Sequence, residues 1–360
     1  MWLFVSSYLV SSTRRSEHHQ QIGMEAGLII DIGIFAHNEE RTLPDMLSEL
    51  IRQSIFEEPD CDIVVNILAN GCSDNTVSLA QAFSAAHSNI NLVVHDDPQG
   101  GKSRTWNRFV HEISRQEASL LMFCDADISL PERHALIGLV NHISGSPGVQ
   151  ASSSRPVKDI QCNKPKSGLV LKAIAAAGGG LDDWKTAICG QLYVARADCL
   201  RGIFMPVGLP VEDGFLRAMI MTDLMQRKEN RTKVSAPADV FHVYETERSI
   251  QTLIKHQVRI VIGSSINKQV FDVLNESRNP SVVLENASRD PTWLFKCLKQ
   301  RLPTSSGWVS THFLFKRLQR WQRSPSIKKL PITLLGFCFD AVVYVIAQVK
   351  MARGTGVGHW

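Results

Sequence analysis

The sequence predicts an α/β protein in which a mixed, mainly parallel sheet is flanked by helices, with a helical, basic and partly apolar tail after it. An unbroken apolar run over residues 120–124 ends abruptly at Asp125 and Asp127. Such a run is typical of a strand buried on both faces of a parallel sheet. Strand-like and helix-like segments alternate through residues 28–128, as in doubly wound sheets. The first part of the chain therefore has the pattern of a Rossmann-like nucleotide-binding half.

The elements of this half follow one another in a regular order. Strands are predicted over residues 28–36, 63–69, 90–95 and 119–128. A helix over residues 43–51 follows the first strand, because its apolar residues recur at the spacing of one helical face. Asp74 is well placed to cap the next helix, and Pro131 is predicted to open the helix after the fourth strand.

The second part of the chain is less regular. Residues 151–187 contain the segment AIAAAGGG (173–180), which is predicted to form a mobile loop over a cleft. A strand over residues 188–196, a helix from Val211, a strand over 240–244 and a helix over Ser249–Ser264 follow. We expect three regions: a disordered leader over residues 1–23, a catalytic domain over 24–265 and a helical C-terminal region over 266–360. Met24 lies shortly before the first strand, so the native chain is expected to start there.

Cysteine usage and composition limit the class of protein. With 360 residues, 44% of them hydrophobic, the chain can bury a large core. The eight cysteines are scattered without a C-x-x-C pair. This favours buried thiols in a reducing cytoplasm over a disulfide framework or a zinc site.

The tail carries a strong excess of positive charge. Residues 291–360 contain eleven Lys or Arg and one acid, Asp340, whereas the whole chain has a net charge of only +4. Residues 331–349 are apolar, and nineteen helical residues at ~1.5 Å each reach about the ~30 Å of a bilayer core. The tail therefore predicts contact with an anionic membrane surface, either peripheral or through one C-terminal segment. A helix packed on the catalytic domain is the alternative, and no nucleic-acid module is recognisable.

Asp125 and Asp127 come where a buried strand ends, the edge at which open α/β sheets bind ligands. Two such acids can share Mg²⁺ or Mn²⁺ with the phosphates of a nucleotide. The alternative is a pair of solvated acids that cap the next helix. Nearby, Lys102 follows two glycines, but position 96 is Asp, so the segment is not a P-loop. Lys102 either approaches a phosphate or is a solvated lysine in a turn.

Glu212 and Asp213 form a second pair of acids. They are either helix N-terminal acids favoured by the macrodipole or they include a general base that deprotonates an attacking hydroxyl. In the second case Asp213 is the base, and Glu212 orients the loop or points away. A metal at Asp125 and Asp127 then offsets the charge of a leaving diphosphate.

The order of these motifs resembles family 2 glycosyltransferases of the GT-A fold. The resemblance covers roughly residues 28–265 and rests on six segments: FAHNEE (35–40), ANGCSDNT (69–76), GGKSRTWN (100–107), DAD (125–127), GQLYVAR (190–196) and VEDGFL (211–216). It implies transfer of a hexosyl or N-acetylhexosaminyl group from a nucleoside diphosphate sugar, usually with inversion and with Mg²⁺ or Mn²⁺.

The resemblance also implies roles for individual residues. The first nucleotide-contacting loop is Ala36, His37, Asn38 and Glu39. Asn70 and Asp74 lie by the base and ribose, and Lys102 lies near the base or diphosphate. Asp125 contacts the ribose and the metal, Asp127 binds the metal, Asp213 is the base, and Arg259 pairs with the diphosphate. His242 either completes the metal shell or is a hydrogen-bonded core histidine.

Two departures from the family pattern affect these expectations. Many relatives have an acid where this chain has Ala69 or Asn70, which makes recognition of uracil less secure, although a UDP-sugar is the first donor to expect. Processive relatives have Q-x-x-R-W where this chain has His256-Gln257-Val258-Arg259-Ile260, so single sugar addition is favoured. The acceptor is expected to be a carbohydrate or a lipid-linked molecule in surface polysaccharide or glycolipid synthesis. The alternatives are a sugar-nucleotide pyrophosphorylase, although the first loop lacks its glycine-rich motif, and an inactive membrane scaffold of the same fold.

Overall fold

A computed structural model describes residues 27–162, 183–302, 307–326 and 330–354. The predicted leader, Met24 and the predicted loop over residues 173–180 lie outside these residues. Within them, the predicted α/β architecture with a mainly parallel sheet is confirmed.

Four strands form the parallel half of a seven-stranded sheet. They are β1 (Leu28–Ala36), β2 (Cys61–Asn70), β3 (Leu92–Asp97) and β4 (Leu120–Asp125). Their order is β3-β2-β1-β4, and all the pairings among them are parallel. Because these strands run in one direction, the loops that follow them open at the same edge of the sheet.

The other half of the sheet is mixed. β4 pairs in antiparallel fashion with β8 (Leu192–Arg196), which is followed in the sheet by β6 (Ala151–Ser153) and β9 (Val234–Ser235). A smaller sheet consists of β5 (Ile128–Ser129), β10 (Phe241–Tyr244) and β7 (Arg155–Lys158), with β10 in the centre. Residues 151–187, predicted to be less regular, therefore begin with two short strands.

Helices cover the sheet and form the C-terminal part. Those before residue 225 are α1 (Leu43–Leu50), α2 (Thr76–Ala86), α3 (Lys102–Arg108), α4 (Ala135–Ser144), α5 (Asp159–Cys162), α6 (Ala197–Arg201) and α7 (Glu212–Thr222). Those after it are α8 (Ile250–Glu276), α9 (Pro280–Arg289), α10 (Trp293–Arg301), α11 (His312–Arg323) and α12 (Leu330–Ala352). A π-helical turn, Phe109–Ile113, extends α3.

The core lies on both faces of the sheet, and alternate residues of each strand serve opposite faces. In β4, Leu120, Met122 and Cys124 belong to one buried cluster, whereas Leu121 and Phe123 belong to the other. The uninterrupted apolar run that predicted this strand thus reflects burial on two sides.

The predicted boundary at residue 265 falls inside α8, which continues to Glu276. Residues of this helix and of the later helices, including Ile266, Leu284, Leu298 and Ala347, belong to the same buried cluster as Phe215 of α7. The C-terminal helices therefore extend the core of the catalytic unit, because they bury apolar side chains against it.

Candidate active site

The buried side chain of Asn70 joins three loops at the carboxyl edge of the parallel strands. Its Nδ2 donates to the carbonyl oxygen of Ala36 at 3.0 Å, and its Oδ1 accepts from the N–H of Gly101 at 3.2 Å. The backbone oxygen of Asn70 lies 2.6 Å from Nδ1 of His37. Asn70 therefore holds the predicted nucleotide loops together, which the sequence did not indicate.

The first two loops are also tied to each other through the start of α2. Asp74 accepts a 3.0 Å hydrogen bond from the N–H of Thr76, the first residue of this helix, although the N-cap position is occupied by Asn75 and not by Asp74. The hydroxyl of Thr76 in turn accepts from the N–H of Glu39 at 2.7 Å. Between them, Asn38 has a left-handed backbone with φ of 57° and accepts from the N–H of Ser73 at 2.8 Å. The predicted donor-binding residues thus form one connected edge.

Lys102 links the two pairs of acids that the sequence singled out. Its Nζ lies 2.7 Å from Asp125 Oδ1 and 3.3 Å from Glu212 Oε1. The three side chains are mostly buried, with exposed fractions of 23% for Lys102, 17% for Asp125 and 10% for Glu212. Acids from the end of β4 and from the start of α7 therefore lie in the same cleft, although 86 residues, 126–211, lie between Asp125 and Glu212 in the chain.

Asp213 faces the same cleft from the beginning of α7. It lines a small cavity together with Lys102 and Glu212. A Cβ added at Gly190 would lie 3.3 Å from the Cβ of Asp213, so the absence of a side chain at Gly190 leaves room for the carboxylate. The sequence predicted Gly190 only as part of a motif, and this contact gives it a physical reason.

Helix α8 packs closely against Val211, which precedes Glu212 and Asp213 in the chain. A Cβ at Gly263 would come within 2.2 Å of Val211, and Asn267 Nδ2 donates to the carbonyl oxygen of Val211 at 2.9 Å. On the same helix Arg259 lies within electrostatic range of Glu212 and Asp213, whose charges favour the guanidinium form against its burial. The predicted diphosphate-binding arginine is therefore directed toward the acids.

Burial changes the proton affinity of both central acids. Desolvation, with a contribution from Asp127, raises the pKa of Asp125 to about 6, and the charge of Lys102 opposes this shift. Desolvation and the neighbouring charge of Glu212 likewise raise the pKa of Asp213 to about 6. Above this pH Asp213 is ionised and able to accept a proton, which is the property a general base requires.

Asp127 lies at the exposed side of the cleft, in a group of carboxylates. The surrounding protein and the charge of Glu39 raise the pKa of Asp127, and Glu245 adds to this effect. Glu245 was not predicted as a site residue. It follows β10, whose Tyr244 pairs with Ile128, so an antiparallel pairing that no local pattern reveals brings it near Asp127.

The donor set at Asp125 and Asp127 fits a hard divalent cation. Asp127 has no side-chain hydrogen bond or ion pair to any of the residues described, and the carboxylates near it raise its pKa. Mg²⁺ and Mn²⁺ prefer such oxygen donors and leave coordination places for substrate oxygens. Among the described residues no group of three or more His, Cys, Asp or Glu side chains is arranged to hold a metal.

The structure does not support His242 as a metal ligand. Its buried ring has Nδ1 3.0 Å from the hydroxyl of Ser154 and Nε2 3.2 Å from Oε1 of Gln191. Burial lowers the pKa of His242 to about 3, so the ring is neutral. Both ring nitrogens are therefore engaged, as in the hydrogen-bonded core histidine that the sequence left open as the other interpretation.

Stacked aromatic rings form the floor beneath the acids. The rings of Phe123 and Tyr193 are 4.4 Å apart and nearly parallel, and Phe35 stacks on Phe123 at 5.9 Å. Trp106 stacks on the same phenylalanine, and its Nε1 donates to the hydroxyl of Tyr193 at 2.9 Å. This floor was not predicted, because its members come from four separate strands and helices.

Comparison with known proteins gives a consistent result. Residues 31–179 match the family described as glycosyl transferase family 2. Curated protein sequences give no significant match. Among solved structures, mannosyltransferase PcManGT from Pyrobaculum calidifontis, in complex with GDP-Man and Mn²⁺, is 14% identical with a TM-score of 0.53, and the match covers 88% of this chain and 87% of that one.

Two further structures show weaker similarity. TarS from S. aureus is 11% identical with a TM-score of 0.47, over 91% of this chain and 82% of that chain. Glucosyl-3-phosphoglycerate synthase from Mycobacterium tuberculosis, in complex with phosphoglyceric acid, is 18% identical with a TM-score of 0.45, over 66% and 78%. The fold assignment rests on the mannosyltransferase. The chain is therefore similar to glycosyl transferase family 2 over residues 31–179, and it shares the fold of the mannosyltransferase.

Proposed function

We propose that the protein transfers one sugar from a nucleoside diphosphate sugar to an acceptor hydroxyl with inversion of the anomeric carbon. The observation that carries this proposal is the ion-pair bridge from Asp125 through Lys102 to Glu212. The bridge joins Asp125, one of the two acids proposed to bind the metal, to Glu212, which directly precedes the proposed base Asp213. Inverting transfer needs these two functions on the two sides of one reacting carbon.

In this mechanism Asp213 takes the proton of the acceptor hydroxyl while the hydroxyl oxygen attacks the anomeric carbon. The bond from that carbon to the diphosphate oxygen breaks as the new glycosidic bond forms. With its pKa raised to about 6, Asp213 is ionised at neutral pH, yet holds a proton more readily than an exposed aspartate. Arg259 stabilises charge that collects on the leaving diphosphate.

Asp125 and Asp127 would hold Mg²⁺ or Mn²⁺, which when bound supplies positive charge to the diphosphate oxygens. Lys102 is positioned to complement the same charge from the other side of Asp125. Ala36, His37, Asn38 and Glu39 form the edge along which the nucleotide is proposed to lie. A UDP-sugar is the first donor to test. GDP-sugars are tested beside it, since the mannosyltransferase with the same fold was solved with GDP-Man.

We further propose that the enzyme acts at the cytoplasmic face of a membrane on a carbohydrate or lipid-linked acceptor, in surface polysaccharide or glycolipid synthesis. In the described part of the chain one helix, Leu330–Ala352, is long and apolar enough to cross a bilayer, with a mean hydropathy of 2.1 over its most apolar window. Only 11% of that window is buried against the protein. The exposed apolar surface supports membrane contact, whether peripheral or through this one segment.

The experiment is a thermal-shift screen of UDP-, GDP- and dTDP-sugars with and without Mn²⁺, followed by assays of transfer and donor hydrolysis. A ligand at ~100 times its Kd stabilises the folded chain by about 2.7 kcal/mol. We expect Asp127→Asn to abolish metal-dependent stabilisation, and Asp213→Asn to keep it while losing transfer. Asp60→Asn removes an exposed acid in the turn before β2, at the end of that strand away from the cleft, and is the matched control. Equal loss of donor binding in both cleft variants contradicts the proposed division of roles, and the absence of any donor binding or hydrolysis favours the inactive scaffold.

A further inference from the structure

Two C-terminal helices present a basic surface beside an apolar one. Helix α11 contains Lys316, Arg317, Arg320 and Arg323 and has no acid. It packs along α12, which also contacts α8. The side of α12 away from these contacts carries large exposed apolar residues: Ile332, Leu334, Leu335, Val342, Val345 and Val349. An amphiphilic partner with an anionic head matches this arrangement better than a purely polar one.

A cavity of about 210 Å³ lies where α8, α11 and α12 meet. Lys316, Arg317 and Arg320 line it from α11, and Asp340 lines it from α12. Asp340 Oδ2 accepts from Arg317 Nε at 2.6 Å, so the acid of the lining is paired with a cation of the lining, and the lining contains three cations and one acid. The lining therefore carries an excess of positive charge, and the apolar part of it comes from residues such as Val343 and Phe313.

Helix α8 separates this cavity from the active site. Gln257, Ile260 and Val261 of α8 face the cavity, whereas Arg259 of the same helical turn is in electrostatic contact with Glu212 and Asp213. Residues at i, i+3 and i+4 share one face of a helix, so Gln257, Ile260 and Val261 lie on the face toward the cavity. Arg259 lies on a different face, toward the acids. A molecule held in the cavity is thus one helix away from the acids.

We propose that this cavity binds the phosphate headgroup of an anionic lipid whose acyl chains lie along the exposed face of α12. Lys316 and Arg320 supply positive charge to the phosphate, and the apolar residues of α12 contact the chains. The inference rests on the proposed membrane location and adds a defined headgroup site to it. It does not depend on which sugar donor the enzyme uses.

The test measures binding of the full chain to phosphatidylcholine vesicles with and without phosphatidylglycerol by flotation. The cavity variant combines Lys316→Gln with Arg320→Gln. The control combines Lys299→Gln with Arg323→Gln, which removes the same charge from exposed positions outside the cavity lining. We expect the cavity variant to bind phosphatidylglycerol vesicles roughly tenfold more weakly or worse, since each basic residue near an anionic surface contributes about fivefold or more in affinity. The control is expected to retain more of the affinity than the cavity variant.

If the cavity variant and the control lose vesicle binding equally, only diffuse charge attracts the chain to the surface, and the cavity site is wrong. Unchanged vesicle binding in both variants also contradicts the cavity site. Glycerol 3-phosphate is the soluble probe of the cavity. If it stabilises the parent chain but not the cavity variant, and the two bind vesicles equally, then the cavity binds a free phosphate compound. In that case the assignment to a lipid is wrong. Circular dichroism verifies that both variants fold. Donor binding measured without vesicles distinguishes failure of this inference from failure of the proposed sugar transfer.

Discussion

Replacing Lys102 by Met tests the bridge between the two pairs of acids. The substitution keeps an unbranched apolar side chain but removes the cation that lies 2.7 Å from Asp125 and 3.3 Å from Glu212. All three side chains are less than a third exposed. Removing one partner from a buried ionic group leaves the other charges uncompensated and typically costs about 3–5 kcal/mol. Because this group is partly open to solvent, we expect a loss near the lower limit, about 3 kcal/mol at pH 7.

The loss is expected to depend on pH in a definite direction. The pKa of Asp125 is already raised to about 6 with Lys102 present, and removing the lysine raises it further. A carboxyl whose pKa is higher in the folded state than in the unfolded state lowers the free energy of unfolding at high pH. The loss begins as the pH rises above the unfolded pKa and is complete above the folded pKa. Lowering the pH from about 7 to about 5 protonates Asp125 in the variant and therefore reduces its deficit relative to the parent chain.

Urea unfolding of the parent and of Lys102→Met at the two pH values measures both effects. Lys102→Arg preserves the charge and should retain most of the stability, and Lys255→Met removes an exposed lysine as a control, with an expected change within about 0.5 kcal/mol. A loss below about 1 kcal/mol for Lys102→Met that does not change with pH would refute the coupling of the three charges.

Three other predictions concern the cleft. With Asp213 as base, kcat/KM should fall about tenfold for each pH unit below about 6, because protonation of this acid removes the base; a profile flat to pH 5 contradicts the assignment. His242→Gln should leave the affinity for Mn²⁺, measured by calorimetry, nearly unchanged, whereas loss of a direct ligand would weaken it by far more than tenfold. Asn70→Ala should destabilise the chain by about 2 kcal/mol in urea unfolding, since it removes hydrogen bonds to Ala36 and Gly101; a change below about 0.5 kcal/mol would show that the loops are held by other contacts.

The parallel half of the fold was accessible from sequence because each of its strands is a local apolar run. The prediction over residues 28–36 matches β1, and the run at 63–69 lies within β2. Boundaries that depend on tertiary contacts were less accurate. The helix expected to open at Pro131 begins at Ala135, and the helix expected to end at Ser264 continues to Glu276 because its second half packs into the core.

The identities of the central acids were predicted, but not their contacts. The bond between Lys102 and Glu212 joins residues 110 positions apart, and no local pattern specifies such a pairing. The loop-holding role of Asn70 depends on three loops meeting at one sheet edge. The position of Glu245 depends on an antiparallel pairing between two short strands. In each case the necessary information is the three-dimensional arrangement of elements, which periodicity and composition do not contain.

The stacked rings of Phe123, Tyr193 and Trp106 have a consequence for how this enzyme works. Interlocked aromatic side chains have few alternative packings, so the base of the cleft resists deformation when ligands enter or leave. We therefore expect the acids that lie beside these rings to keep nearly constant spacing when ligands enter or leave. Reorganisation energy at the reacting centre is correspondingly small, and any motion that admits the donor has to come from parts of the protein that do not rest on these rings.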